Sequence, residues 1–258
     1  MLDKIVESCQ FLLNNYPEAN ESKLYLDSRL NKESQEKFQF GYFPNVQNIT
    51  ALIDLVGEDV LIKEKLLYTR DIEDSLFPRK VKSSYFEEYP LIMPFRDVYG
   101  KVAGLVGRTL IGEDERRERK LSKYKNTLES SIFKKGNLLF GLYENKQAIL
   151  TSGCVYIVEG QFDVIKASEV GLKNIIALGN CNMTSYQFSV ISRYVNNIML
   201  LLDNDESGEK GRKRIISKFG KFANIQNFYL PDSYKDIDEY ITKEKISNYT
   251  EMSFTVKG

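Results

Sequence analysis

The feature that most restricts the fold is a regular alternation of short apolar runs and helix-length segments in the second half of the chain. From about residue 150 onward, each apolar run is followed by a short connection and then by a segment long enough for a helix. Such strand-plus-helix units predict a parallel sheet with helices on both faces. The predicted units are VYIV (155–158) with helix 163–171, NIIAL (174–178) with helix 184–194, NIMLLLD (197–203) with helix 206–219, and IQNFYL (225–230) with a helix near 236–243.

The sequence of the first half of the chain predicts a subdomain of mixed helix and strand. Apolar spacing predicts helices at 3–15 and 22–29, and FQFGYFP (38–44) predicts a short extended piece. The segment PLIMPFRDVYGKVAGLVGRTL (90–110) predicts a hairpin with its turn near Asp97 to Gly100. We therefore expect an N-terminal basic subdomain at 1–148 and a parallel-sheet, Rossmann-like domain at 149–258.

The amino-acid composition restricts the kinds of binding and catalytic site that the chain can form. The 258 residues include 36 basic and 36 acidic side chains, so attraction to nucleic acid must come from local segregation of charge. The chain has no histidine, which excludes histidine-based catalysis, and its three scattered cysteines predict neither a zinc site nor a disulfide framework. With no apolar run near 18 residues, we expect a soluble, reducing, intracellular setting without a membrane partner.

Acidic residues follow the predicted strands of the second half. Ligands in open parallel sheets bind beyond the carboxyl ends of the strands, and acids fall at three such ends. Capping of the following helix is the commoner role for Asp163, Asp205 and Asp236 taken singly. Capping does not explain Glu159, or Asp203 at the end of its predicted strand. The acids are Glu159 and Asp163 after the first strand, Asp203 and Asp205 after the third, and Asp236, Asp238 and Glu239 after the last.

Carboxylates crowded into one crevice repel each other and raise each other's pKa unless cations neutralise them. Oxygen ligands at this density suit Mg²⁺ or Mn²⁺, which bind a few carboxylates together with substrate phosphates. The sequence therefore predicts a divalent-metal site at the edge of the parallel sheet.

The ordered motifs EGQFD (159–163), DNDESG (203–208) and KDIDE (235–239) resemble the Toprim domain. That domain serves primases, topoisomerases, recombination mediators and some nucleases, so the first half of the chain must distinguish among them. Four further segments resemble the catalytic core of bacterial-type (DnaG-like) DNA primases, with a looseness typical of phage-type members. They are KLYLDSRLNKESQEKFQFGYFP (23–44), LIMPFRDVYGKVAGLVGR (91–108), KYKNTLESSIFKKGNLLFGLYEN (123–145) and IALGNCNMTSYQ (176–187).

The resemblance implies a DNA-directed RNA polymerase that makes short RNA primers on single-stranded DNA by two-metal nucleotidyl transfer from ribonucleoside triphosphates. It implies that Glu159, Asp203 and Asp205 are catalytic and hold two Mg²⁺ or Mn²⁺ ions. The basic run RRERKLSKYK (116–125) is either a solvated face or one wall of a groove for a single strand, opposite the acidic site. The resemblance adds Asp163, Asp236 and Asp238 as further or indirect metal ligands, and Arg108, Lys123, Asn126 and Lys135 as contacts to template and nucleotide.

Two parts of full-length bacterial primases have no counterpart in the sequence, a zinc-binding module and a helicase-binding carboxyl domain. We expect a replicative helicase, a separate zinc-binding protein or another replisome subunit to supply them, in the cytoplasm of a bacterial cell and possibly from a phage gene. A Toprim nuclease that cleaves DNA at the same metals is the main alternative. A degenerate DNA-binding subunit is a second alternative, and a topoisomerase is disfavoured because no tyrosine stands out as a nucleophile.

Overall fold

The computed structural model describes residues 1–72, 79–129 and 133–257. The chain forms two compact units, one of Met1–Phe95 with Val102–Phe133 and the other of Arg96–Lys101 with Lys134–Gly258. The helix Leu142–Ser152 spans the predicted boundary between residues 148 and 149 and lies in the second unit. The functional division at that boundary stays a prediction. Within the described ranges, no helix has both the length and the apolarity needed to cross a membrane.

The first unit combines short helices with antiparallel strands. One sheet has the order β1-β4-β5-β6, and β2 pairs with β3 in a separate ribbon. The predicted hairpin is confirmed, since β4 and β5 are neighbours joined by a turn in which the Gly100 N–H donates to the Asp97 carbonyl at 3.0 Å. The elements are α1 (Leu2–Asn15), α2 (Asn20–Arg29), α3 (Lys32–Lys37), β1 (Gly41–Tyr42), α4 (Thr50–Val56), α5 (Glu58–Lys63), β2 (Leu67–Ile72), β3 (Arg79–Ser84), β4 (Leu91–Arg96), β5 (Val102–Arg108), α6 (Glu113–Glu118) and β6 (Tyr124–Asn126).

Helix α1 packs closely on the extended piece predicted at 38–44. Its apolar residues recur on one face, and Ile5 and Cys9 on that face are fully buried. Gly41 lies against Cys9 so tightly that a Cβ at position 41 would come within 2.6 Å of the Cys9 Cβ. Glycine at 41 therefore allows strand β1 to approach the helix.

The second unit is built from the predicted strand-plus-helix units. Its sheet has the order β11-β10-β9-β7-β8, in which β8, β7, β9 and β10 are parallel and β11 pairs antiparallel with β10. The predicted parallel sheet is confirmed, whereas the edge strand β11 was not predicted. The elements are α7 (Leu142–Ser152), β7 (Cys154–Val158), α8 (Gln161–Glu169), β8 (Ile175–Ala177), α9 (Ser185–Ile191), β9 (Asn197–Leu200), α10 (Glu206–Phe219), β10 (Asn224–Tyr229), α11 (Ile237–Glu244) and β11 (Thr255–Lys257).

One prediction about the third strand is wrong. Strand β9 ends at Leu200, so Asp203 lies three residues beyond it and not at its last position. The Leu201 N–H still donates to the Ile157 carbonyl at 2.8 Å, but the Asp203 N–H turns to the Glu159 side chain. The backbone therefore leaves the sheet just before the acidic residue.

The core of the second unit consists of aliphatic side chains from the central strands. Ile157 and Leu200, which face each other in the β7–β9 register, are fully buried with Ile176 of β8. Burial of an aliphatic side chain contributes about 1.5–3 kcal/mol. These strands are therefore the rigid base from which the loops at their carboxyl ends project.

We expect Ile157→Ala to lower the free energy of unfolding by about 2–5 kcal/mol, because the surrounding side chains close only part of the resulting cavity. Urea unfolding followed by circular dichroism at 222 nm measures the change. Leu150→Ala is the matched control, since Leu150 is 47% exposed on α7 and its truncation leaves no internal cavity. Equal losses in the two variants would contradict this description of the core.

Candidate active site

The carboxyl ends of two adjacent parallel strands bring Glu159 and Asp203 together. Strands β7 and β9 pair directly, and each chain segment leaves the sheet at the same edge. The Asp203 N–H donates to Glu159 Oε1 at 3.3 Å, although 44 residues separate them in the sequence. The two acids that carry the metal prediction thus lie in one place.

Asp163 accepts a backbone N–H at each of its carboxylate oxygens. Its Oδ2 accepts from the Gly160 N–H at 3.0 Å, and its Oδ1 accepts from the Asp238 N–H at 3.3 Å. The side chain is only 7% exposed. Asp163 therefore ties the start of α8 to the start of α11, which supports an indirect role for this acid.

Asp205 and Asp236 cap helices, as the simpler interpretation of their positions predicts. Asp205 Oδ1 accepts from the Gly208 N–H at 2.9 Å at the start of α10, and Asp236 Oδ1 accepts from the Glu239 N–H at 2.8 Å at the start of α11. An N-cap uses one carboxylate oxygen. The second oxygen of Asp205 lies 3.6 Å from the Lys235 ammonium, so capping leaves this acid able to bind a cation.

Burial and mutual repulsion raise the pKa of three of the acids, whereas a backbone hydrogen bond lowers the pKa of the fourth. Burial, followed by the neighbouring Asp203 charge, raises the pKa of Glu159 to about 7. Burial and the charge of Asp236 raise the pKa of Asp203 to about 6, and burial raises the pKa of Asp163 well above its usual value. The hydrogen bond from the Gly208 N–H lowers the pKa of Asp205. The charged form of these three buried acids is therefore costly, and either a proton or a nearby cation relieves it.

Lys235 is the local cation, and the sequence analysis missed it. Its ammonium lies 3.6 Å from Asp203 Oδ2 and 3.6 Å from Asp205 Oδ2, bridging the two acids. The side chain remains 59% exposed, so it reaches the acids from solvent. The sequence contained an indication of this role, because Lys235 is the first residue of the KDIDE motif and directly precedes the helix-capping Asp236.

Asn204, between the two aspartates, holds the Lys235 loop in place. The Asn204 N–H donates to the Lys235 carbonyl at 2.7 Å. Its side-chain amide donates to the Leu230 carbonyl at 3.0 Å and to the Tyr234 carbonyl at 3.1 Å. These bonds fasten the loop after β10 to the turn that carries Asp203 and Asp205.

Arg212 fixes the same turn from within the protein. It is 1% exposed, and its guanidinium donates to the carbonyls of Asp203 (3.0 Å) and Leu202 and lies 4.3 Å from the centre of the Tyr229 ring. Its position was recognisable in sequence, because Arg212 shares helical spacing with the buried Ile215 and Phe219. The surrounding basic residues hid that spacing.

Gly208 allows helix α10 to start directly against this turn. A Cβ at position 208 would come within 2.1 Å of the Asp203 carbonyl oxygen, which is backbone and cannot move aside without moving the acid. The DNDESG motif therefore needs its glycine for close packing.

The donor set fits a hard divalent cation. Within the described residues, no three acidic or cysteine side chains form an arrangement that would by itself hold a metal ion. Mg²⁺ typically takes only one or two carboxylates and completes its octahedral shell with water and substrate phosphates, which suits an open set of oxygens. Glu159, Asp203 and Asp205 offer such oxygens, and the Lys235 ammonium already marks a cation position between two of them.

The predicted template contacts lie in the first unit, apart from Lys135. Arg108 ends β5 and is 7% exposed, with its guanidinium 5.2 Å from the ring centres of Tyr25 and Tyr124. Lys123 is exposed, and Asn126 pairs with Val106 at the end of β6. Lys135 starts a short 3₁₀-helix in the second unit, and its side chain lies outside the described residues.

The basic run at 116–125 is partly neutralised. Arg117 pairs with Glu113, and Arg119 pairs with Glu115 at 3.0 Å and with Glu88. Lys125 donates to the Tyr85 carbonyl at 2.6 Å. Exposed pairs of this kind contribute about 0–1 kcal/mol each and can exchange partners with a phosphate.

Comparison with known proteins places both units in one family. The family described as "DNA primase catalytic core, N-terminal domain" matches residues 10–146, more than half of the chain, and a Toprim-like family matches residues 156–241. The chain belongs to the DNA primase catalytic-core family. The primase fold expected from the sequence, an α+β part followed by a Toprim domain with a mostly parallel sheet, is confirmed.

Relatives with both parts are named primases. The DNA primase of Aquifex aeolicus (strain VF5) is 30% identical over 245 residues, which cover 93% of this chain and 45% of that protein. A crystal structure of the Aquifex aeolicus primase with its zinc-binding and RNA polymerase domains has a TM-score of 0.75 at 27% identity, covering 98% of this chain and 60% of that one. The structure of a DnaG primase catalytic domain bound to ssDNA has a TM-score of 0.76 at 26% identity, and the match covers 94% of this chain and 75% of that chain. The chain thus spans less than half the length of the curated Aquifex relative.

We expect the metal-free primase core to lose stability as the pH rises from about 5 to about 8. The pKa of Glu159 is about 7 in the folded protein and near 4.5 when unfolded, so between these values the folded state binds more protons and the free energy of unfolding falls with pH. Midpoints of thermal unfolding in EDTA measure the slope. Glu159→Gln should flatten it, whereas Glu206→Gln, at an exposed position, should not; equal slopes in wild type and Glu159→Gln would contradict the assignment.

We expect Lys235→Met to tighten binding of Mn²⁺ by roughly five- to thirtyfold, since a unit charge about 4 Å from a divalent ion changes the energy by about 2 kcal/mol in water and the exposed lysine can move partly aside. Titration calorimetry or the electron paramagnetic resonance signal of free Mn²⁺ measures the affinity. Lys243→Met is the matched control, because Lys243 is 60% exposed and pairs with Glu239 on α11. Weaker binding in Lys235→Met than in the control would show that Lys235 does not compete with the metal.

Proposed function

We propose that this chain is the catalytic core of a DNA-directed RNA polymerase that synthesises short RNA primers on single-stranded DNA for replication. The observation that carries the proposal is the contact between Glu159 and Asp203 at the edge of the Toprim sheet, in a chain whose first half matches the primase catalytic core. The same acids alone would also fit a Toprim nuclease. The match over residues 10–146 favours the primase.

We assign Glu159, Asp203 and Asp205 to hold the divalent ions, Mg²⁺ or Mn²⁺ and two in number, next to the substrate triphosphates. When bound, such ions lower the pKa of a ribonucleotide 3′-hydroxyl and neutralise the pyrophosphate that leaves the α-phosphate of the incoming nucleotide. Asp163, Asp236 and Asp238 support this set through the start of α8 and α11. Of these, Asp163 contributes mainly by fixing backbone, since both of its oxygens accept from peptide N–H groups.

The remaining polar groups keep the acids in register for this chemistry. Arg212 and Asn204 hold the backbone around Asp203. Asp203 and Asp205 therefore need little rearrangement when substrate arrives. Lys235 neutralises Asp203 and Asp205 before the metal binds, and its long, exposed side chain can then turn to a phosphate oxygen.

We further propose that the first unit contacts the template strand and the nucleotide through Lys123, Asn126 and Arg108, and that Lys135 acts with them. Lysine and arginine contacts to phosphate give affinity without sequence preference, which suits a template-reading polymerase. Arg108 is held between two tyrosine rings, so we assign it to positioning the aromatic side chains of this surface as much as to direct contact.

We propose that template selection requires partners. The Aquifex aeolicus primase structure comprises zinc-binding and RNA polymerase domains, and this chain covers 60% of that structure. A zinc-binding element and a replicative helicase or other replisome subunit would then act with this chain, in the bacterial cytoplasm.

We expect Asp203→Asn to abolish primer synthesis while binding to single-stranded DNA stays within about twofold of wild type. The amide preserves shape but removes a charge that the metal needs. Incorporation of labelled ribonucleotides on single-stranded DNA with Mg²⁺ measures synthesis, and fluorescence anisotropy measures binding. Asp232→Asn, an exposed acid in the loop before α11, is the matched control and should prime normally.

Two results would contradict the proposed function. Normal priming by Asp203→Asn would remove the metal assignment. Degradation of DNA by the wild type with Mg²⁺, without synthesis when ribonucleotides are added, would replace the primase with the nuclease.

A further inference from the structure

The second unit carries a strongly basic segment that is separate in sequence from the acidic motifs. Residues 210–223, KGRKRIISKFGKFA, contain six basic side chains and no acid. In a chain with equal numbers of acidic and basic residues, this is the local segregation of charge that attraction to a polyanion requires.

Helix α10 carries cations with acidic partners in its first turns and cations without them further along. Lys210 pairs with Glu206, and Lys213, which is 75% exposed, lies 3.5 Å from Glu209 in a pair weak enough to exchange its partner for a phosphate. Further along, Arg214 and Lys218 have no carboxylate within 4 Å among the residues that the structure describes. Favourable interaction with the helix dipole accounts for a cation only in the last turn, which here is Lys218.

These basic residues line a cavity. It has a volume of about 490 Å³, lies between α10 and the segment Asn182–Met183, and is lined on its polar side by Lys213, Arg214, Lys218, Ser217 and Asn182. No acidic side chain is among the residues that line it. A volume in the range of roughly 300–1,000 Å³ is typical of ligand sites.

The guanidinium of Arg214 is already held in position. Its Nε donates to the Lys210 carbonyl at 3.1 Å, and its Nη1 donates to Asn182 Oδ1 at 2.6 Å. Both bonds are to neutral oxygens, so the charge is oriented without being cancelled. A pre-oriented guanidinium loses less entropy when it binds an oxyanion.

We propose that this cavity binds the phosphodiester backbone of a single-stranded nucleic acid through Lys213, Arg214 and Lys218. The chemistry of the site selects a phosphate, and only the choice of a nucleic-acid strand rests on the proposed function. The strand is either template DNA or the RNA product, since both have the same backbone charge. A contact of this kind adds affinity without reading sequence.

The test compares Lys213→Gln/Lys218→Gln with wild type in binding 5′-fluorescein oligodeoxythymidylate and oligouridylate over a series of salt concentrations. Each phosphate contact in a single strand contributes about 0.7 to the slope of log affinity against log salt, so the double variant should lose about 1.4 from the slope. At low salt its Kd should rise several-fold. A loss confined to one oligonucleotide identifies the strand, and a loss with both assigns the site to the shared backbone.

Two matched variants separate a specific contact from a general change of charge. Lys173→Gln/Lys245→Gln removes the same charge from exposed positions outside the cavity and should keep the wild-type slope. Lys213→Arg/Lys218→Arg preserves the charge in the cavity and should also keep it. An unchanged slope in Lys213→Gln/Lys218→Gln, or an equal loss in the Lys173/Lys245 control, would overturn the proposal.

The two proposals fail in different ways. Binding is measured without nucleotides, so absence of primer synthesis in the wild type would leave the salt slopes unaffected. Conversely, an unchanged slope in Lys213→Gln/Lys218→Gln, with synthesis still dependent on Asp203, would remove the cavity contact and leave the primase assignment intact.

Discussion

The second unit depends on the pairing of β7 with β9, because that pairing delivers Glu159 and Asp203 to one edge of a sheet whose strands are otherwise apolar. The aliphatic core that holds these strands also removes water from the acids that follow them. Partial burial removes solvent screening, so burial and the repulsion between neighbouring carboxylates together raise the pKa of both acids. The charged carboxylates therefore destabilise this edge of the sheet, and nearby cationic groups compensate for their charge.

Two cationic side chains compensate for the acidic charge in different ways. Arg212 is buried and donates to backbone carbonyls, so it sets geometry and offers little competition for a metal. Lys235 is exposed and contacts the carboxylates themselves, so it neutralises charge reversibly. A lysine suits that reversible role, because its ammonium is a compact charge on a flexible stem. Under the proposed function, Arg212 thus shapes the site, whereas Lys235 is the group that a metal would displace.

Sequence patterns predicted the features that follow from periodicity. The strand-plus-helix alternation predicted β7, α10 and the start of β9, and the rule for carboxyl ends of parallel strands brought Glu159 and Asp203 together. Features that depend on tertiary packing were not predicted from the sequence. Arg212 is concealed among basic neighbours, and β11 is too short to stand out. The chain leaves β9 before Asp203 because that residue's N–H finds the Glu159 side chain, a partner 44 residues away.

From the sequence, helix capping and metal binding were alternative roles for these acids, and the geometry leaves room for both at Asp205. A carboxylate has two oxygens, and Asp205 gives one to the Gly208 N–H at the start of α10 while the other faces Lys235. The cap fixes the rotation of the side chain, and the N–H that it accepts favours the charged form. Asp163 accepts a backbone N–H at each of its two oxygens, so its carboxylate is tied to the starts of α8 and α11. Under the proposed function, we therefore expect the acids to differ in cation binding by the number of oxygens that the backbone leaves open, more than by their position in a motif.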